Sequence, residues 1–181
     1  MTFLLDWQEG ARGHTGDLNT FTCTDFKPRS RERTWRTRHG WWEFEVQSRI
    51  RDLRPPCRGS SFLRLGYDGV GLAAACLVEE LDGPSLVEMS LGAIALRLRH
   101  KGGGYADEMM SDALDIVTTR ALAARVVEVL AIGHVWEDNA ASQALCRRHG
   151  FVHTGVDGGV QQWSMRLLTP QDVQESSPSS R

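Results

Sequence analysis

Lysine is nearly missing from this chain: of 21 basic residues, only Lys27 and Lys101 are lysines and the rest are arginines. That bias reads as codon usage in a GC-rich genome rather than as chemistry. Net charge is also missing, at −2, which argues against an obligate nucleic-acid binder or a strongly cationic membrane-surface protein. No apolar run reaches the ~18 residues of a membrane span. The start, MTFLLDWQEG, has neither a positive n-region nor an adequate apolar stretch, so no secretory signal is expected. The four cysteines (Cys23, Cys57, Cys76 and Cys146) contain no C-x-x-C pair and read as free thiols in a reducing compartment. A soluble, cytoplasmic protein is the expectation. At 181 residues one domain is the default, large enough to bury a normal core.

Two nucleotide-binding motifs are absent as well. Nothing fits G-x-x-x-x-G-K-[ST], and Gly102-Gly103-Gly104-Tyr105-Ala106 is followed by Asp107, where the dinucleotide fingerprint needs a small residue. What is present is an apolar run ending at Leu96, a basic stretch, three glycines and then a helical pattern. Such a strand-turn-helix junction turns unpaired backbone N–H groups and the positive end of a helix dipole toward one point, which suits phosphate oxygens. Arg99 and Lys101 add charge beside it, and glycine lets a phosphate approach closely. A surface turn that happens to be glycine-rich is the plainer reading of the same stretch.

Along the chain, Phe3 to Trp7 and Leu18 to Cys23 are candidate short strands. Lys27 to His39 (KPRSRERTWRTRH) is strongly basic with little periodicity. It reads as a solvated loop, an acceptor-site loop or a contact for an acidic partner. Trp35 among the arginines is thin support for base stacking. Trp41, Trp42, Val46, Ile50 and Leu53 fall near helical spacing, and Arg54-Pro55-Pro56 ends that helix.

Ser61 to Tyr67 alternates into an Asp68-Gly69 turn, and Val70 to Val78 has the continuous apolar pattern of a strand buried on both faces. Asp82-Gly83-Pro84 marks another turn, and Ser85 to Leu96 a third strand. These three strands form an antiparallel meander. Gly104 to Val127 carries a helical apolar stripe with acidic residues in its early turns, and Glu128 to Trp136 (EVLAIGHVW) is again a buried-strand pattern. The meander is thus followed by a strand-helix-strand crossover, giving a mixed α+β sheet. Asp138 or Asn139 caps a short helix that ends near Gly150. Val152 to Leu168 is a closing strand pair around Asp157-Gly158-Gly159.

Arg99-His100-Lys101-Gly102-Gly103-Gly104 matches [RQ]-x-x-G-x-[GA], and Asn139 to Phe151 matches N-x-x-[SA]-x-x-L-(Y)-x-x-x-G-F about 35 residues later. With these two motifs in order, residues ~61 to 168 resemble the GNAT superfamily of acetyl-CoA-dependent N-acyltransferases. The resemblance implies a central mixed sheet of about six to seven strands flanked by about four helices. It implies one domain over 1–168, with a variable part (1–60), a cofactor-binding core (61–168) and a polar tail (169–181) that reads as disordered.

It also implies acetyl-CoA held where the meander's last strand splays from the strand at Glu128 to Trp136. Edge amides of Ile94, Ala95 and Leu96 would bond the pantetheine arm. Backbone N–H groups from about His100 through Lys101, Gly102, Gly103 and Gly104 to Tyr105 would hold the pyrophosphate beside the charge of Arg99, with Asn139 near the pantetheine or acetyl end and Ser142 on the cofactor wall. Without the family, Asn139 is a good helix cap.

An acceptor amine must lose a proton, and the developing oxyanion needs a donor such as a main-chain N–H near Ile94. Glu88 is the first candidate base on that comparison, and a solvated edge glutamate is the equal alternative; Glu79 and Glu80 come second. Cys146 stands where many members have a tyrosine acid, so no tyrosine acid is expected and solvent protonates the leaving thiolate. Cys146, His149 and His153 are spaced as three ligands, but Gly150 breaks the helix between the histidines and no fourth ligand is evident, so no metal is expected. The acceptor would be a small-molecule or peptide amine; neither nucleic acid nor membrane is an expected partner, and a homodimer through exposed edge strands is one expectation. The alternative to an enzyme is a GNAT-fold acyl-CoA-binding or regulatory module with little catalysis.

Overall fold

The computed structural model describes residues 5–25, 40–57, 59, 61–81, 87–126 and 128–168. The basic segment 27–39, the turn at Asp82-Gly83-Pro84 and the tail 169–181 lie outside them. Seven strands are described: β1 (Asp6–Glu9), β2 (Phe62–Asp68), β3 (Gly71–Leu81), β4 (Val87–Leu96), β5 (Val129–Trp136), β6 (Val152–Asp157) and β7 (Val160–Leu168). They form one sheet in the order β1-β2-β3-β4-β5-β7-β6. The first four run antiparallel. β5 is parallel to β4 because the chain crosses over through a helix, and β7 returns antiparallel to β5.

Among the described residues, four α-helices cover the sheet: α1 (Thr15–Asn19), α2 (Trp41–Asp52), α3 (Tyr105–Ala123) and α4 (Ala140–Arg148). Met109, Ala113, Val117 and Ala121 recur every four residues along α3 and bury against Phe62, Ala73, Cys76 and Val78 on one face. On the other face Leu18, Phe21 and Ile50 pack on Leu63, Leu65, Leu72, Ala75 and Leu77. A third cluster under α4 joins Leu145, Cys146 and Phe151 to Ala131 and Trp163. β3 contributes to both faces, which is why its sequence is apolar throughout.

Leu18 to Cys23 is not a strand. Leu18 lies in the single helical turn of α1, and the chain then runs without regular structure. Phe21 donates back to the Leu18 carbonyl, at 3.1 Å, and the buried Gln47 side chain of α2 accepts from the amides of Cys23 and Thr24, at 2.9 and 3.3 Å. The apolar residues here plug the space beneath α2 rather than extend the sheet.

Three of the four acidic residues of α3 are committed to partners. Buried Glu108 accepts from the Leu5 amide and the Trp7 indole, and Asp112 takes a two-point bond from Arg64, at 2.7 and 2.8 Å. Asp107 pairs with Arg148 and His149 at the end of α4.

Candidate functional site

β4 and β5 are paired only from Val87↔Val129 to Leu91↔Gly133. Beyond Leu91, β4 continues along β3 alone, β5 along β7 alone, and a fork opens between them. Its origin is local. Val78 faces Leu91 while Leu77 faces Ala93, so Gly92 is an extra residue, a bulge that bends the strand and re-aims the residues after it. An added Cβ there would meet the Glu79 carboxylate, so a larger residue would require that side chain to swing away. Arg49 of α2 donates to the Gly92 carbonyl, at 2.9 Å, and to Glu79.

Past the bulge, the Arg97 amide donates to the Ala73 carbonyl, at 2.7 Å. Bonded and non-bonded pairs alternate in an antiparallel ladder, so Ala95 bonds Ala75, while Ile94 and Leu96 turn their N–H and C=O groups toward the fork. Of the three edge amides expected to face it, Ala95's instead faces β3.

The fork is a cleft of about 860 Å³. Ile94, Ala95 and Leu96 line one side, Gly133 to Trp136 the other, and Asn139, Ser142 and Cys146 of the α4 segment close it. At its mouth, a single 3-10 turn (Leu98–His100) leads into the glycines. Gly102 and Gly104 sit at φ +83° and +81°, a left-handed conformation that side chains rarely adopt. A Cβ on Gly103 would come within 2.6 Å of the Tyr105 ring. Gly103 donates weakly to the His100 carbonyl, whereas the amides of Gly102, Gly104, Tyr105 and Ala106 bond no group among the described residues. Four such donors at or just before the start of a 19-residue helix are chemistry that suits an anion.

The two cations expected beside it are occupied. Arg99 donates to both oxygens of Asp68 at the end of β2, and His100 Nε2 lies 2.8 Å from Asp68 Oδ2. The guanidinium of Arg99 holds that carboxyl well below its ordinary range. Arg99, His100, Gly103 and Tyr105 thus brace the loop from behind, and Lys101, Gly102 and Gly104 line the cleft. Lys101 reaches across to Glu43 of α2, at 2.5 Å.

Asn139 caps α4, its Oδ1 accepting from the Ser142 amide at 3.1 Å. Cys146 is buried beside Gly133, and burial pushes its thiol up to about 11. Glu88 has its main chain paired with Leu81 and Leu130, three residues before the fork begins. Glu79 sits beside the bulge but is held by Arg49. Sequence reading missed His134. It is the first residue of β5 past the last β4–β5 pair, is exposed and lines the cleft. The one signal for it was a polar residue interrupting EVLAIGHVW. Among the described residues, no three His, Cys, Asp or Glu side chains gather to hold a metal ion; His149 bonds Asp107 and His153 stacks on Trp163.

The model of the acetyltransferase (GNAT) family matches residues 19–151. No curated protein matches the chain. Among solved structures it resembles the spermidine/spermine N-acetyltransferase SpeG from Vibrio cholerae (16% identity, TM-score 0.55, covering 96% of this chain and 99% of that one). It also resembles the ribosomal-protein-S18-alanine N-acetyltransferase from Escherichia coli (13%, 0.59, 98% and 99%). A third is the PaiA N-acetyltransferase from Thermoplasma acidophilum in complex with coenzyme A (10%, 0.59, 92% and 99%). At these identities the likeness is one of fold.

Proposed function

The chain belongs to the GNAT family of acetyltransferases, and on that premise we propose that it transfers an acetyl group from acetyl-CoA to a primary amine by direct attack in a ternary complex. The acceptor is a small molecule or a peptide; acceptors of both kinds are named among the structural neighbours. The observation that carries this reading is the fork. It joins an unsatisfied β4 edge, a loop of four unpaired amides and a cleft long enough to run between them.

In this reading, the amides of Gly102, Gly104, Tyr105 and Ala106 hold the pyrophosphate, with Lys101 exchanging Glu43 for it. Arg99, His100 and Gly103 fix the loop's shape. Leu96 bonds the pantetheine arm as an added strand would, Ala95 packs behind it, and Asn139 and Ser142 wall the acetyl end. The fork-facing amide of Ile94 meets the charge that develops on the carbonyl oxygen.

The thioester supplies an activated acetyl group. The amine nitrogen bonds to its carbonyl carbon, the carbon–sulfur bond breaks, and the nitrogen gives up a proton. His134 is the residue we assign to take that proton: it borders the reacting end of the fork, and a neutral imidazole presents a nitrogen that can accept one. Solvent returns a proton to the sulfur. Cys146 is a poor donor for that step, since a thiol near 11 gives its proton uphill to an ordinary thiolate near 8.5.

The test is acetyl-CoA-dependent thiol release with His134→Gln and Glu88→Gln. His134→Gln is expected to lower kcat about 100-fold at unchanged affinity for acetyl-CoA. Glu88→Gln should stay within a few-fold of wild type. The reverse pattern returns the base to Glu88.

A further inference from the structure

Past the fork, at the end of β5, a second cavity of about 190 Å³ is lined by Trp41, Trp42, Trp136, Glu137, Asp138 and Gly159. Trp42 and Trp136 line both cavities, so the two are adjoining rooms. The indole walls are fixed by packing: Trp41 and Trp42 are 7% and 8% exposed, and the Trp41 and Trp136 rings meet edge to face with centroids 4.5 Å apart. Glu137 and Asp138 are exposed, and their carboxylates make no hydrogen bond or ion pair among the described residues. Gly159, in the β6–β7 turn, lines the same cavity at φ +82°, a backbone conformation that favours glycine.

Indole faces attract cations, and two carboxylates repel anions. We propose that this room takes an alkylammonium group, the second and non-reacting amine of a linear diamine or longer polyamine whose first amine lies at His134. Alternation puts His134 and Trp136 on one face of β5, about 7 Å apart along the strand, which a chain of roughly four or five carbons spans. The inference rests on reading the fork as the acetyl-transfer site.

The test is calorimetric binding to the full chain saturated with CoA, comparing 1,5-diaminopentane with pentylamine, which has the same length and lacks the second charge. The diamine is expected to bind about tenfold tighter, and this ratio should fall to about two in Glu137→Gln/Asp138→Asn. Those substitutions leave in place the main-chain bonds of Glu137 to Gly159 and Gln143, and equal melting temperatures would verify the fold. Equal affinity for the two amines, no diamine binding, or a ratio unchanged in the double variant overturns the proposal. Turnover that does not distinguish the amines overturns this room and keeps acetyl transfer, whereas preferential diamine binding without turnover does the opposite.

Discussion

The Nζ of Lys101 lies 2.5 Å from Oε1 of Glu43, joining the phosphate loop to the helix that walls the cleft. The same ammonium is the one cation of the loop that lines the cleft, so Glu43 and a bound pyrophosphate compete for it. Both side chains are more than a third exposed, and an exposed pair of this kind is worth about 0.5–1 kcal/mol. Glu43→Gln should therefore tighten CoA binding about two- to fivefold, and Lys101→Ala should weaken it, both by calorimetry. Weaker binding in Glu43→Gln would show that Lys101 does not serve the loop.

Arg64 and Asp112 tie β2 to α3 with side chains only 11% exposed. Asp112→Ala leaves a guanidinium without its partner in the interior, at a cost of about 3 kcal/mol in urea denaturation. Arg64→Met with Asp112→Leu should recover most of it. A double variant no better than the single one would contradict this view of the pair.

Acid should loosen the hairpin beside the phosphate loop. Asp68 is held below its ordinary value chiefly by Arg99, and Asp107 is lowered chiefly by Arg148. A depressed carboxyl contributes stability above its unfolded value, near 3.9, and loses it as pH falls toward the folded value. The wild type should lose stability from about pH 5 downward, and Asp68→Asn should show a shallower slope in that range. Parallel urea-midpoint curves would contradict this.

Cys146 is buried, and burial raises its thiol to about 11, which disfavours proton transfer from it. Cys146→Ala is expected to change kcat less than about threefold, well short of the 10²–10⁴ typical of a positioned acid or base. A larger fall at unchanged melting temperature would make it the proton donor.

What was legible in the sequence was what is local. The glycine turn before α3, the Asn139 cap and the Asp68-Gly69 turn each announce themselves within a few residues, and the meander and crossover emerge from strand and helix periods. The commitments of Arg99 to Asp68 and of Lys101 to Glu43 span 31 and 58 positions and leave no local trace. Leu18 and Phe21 were misread because one helical turn is too short to show a period. His134 was passed over because β5 is apolar wherever it is covered, and only the fork, a tertiary feature, uncovers it. The bulge at Gly92 is likewise a matter of register with β3.

Whether the fork holds acetyl-CoA is tested most directly by thermal unfolding with and without that ligand, at about 100 times its dissociation constant, on the wild type and on Gly103→Glu. Ligand at that excess contributes about 2.7 kcal/mol, a rise of about 5–10 °C for a domain of this size. The wild type should show that rise. The variant should show none, because its side chain meets the Tyr105 ring and puts a negative charge among the loop amides. No rise in the wild type, or an equal rise in both, would mean that the fork and its loop do not hold acetyl-CoA.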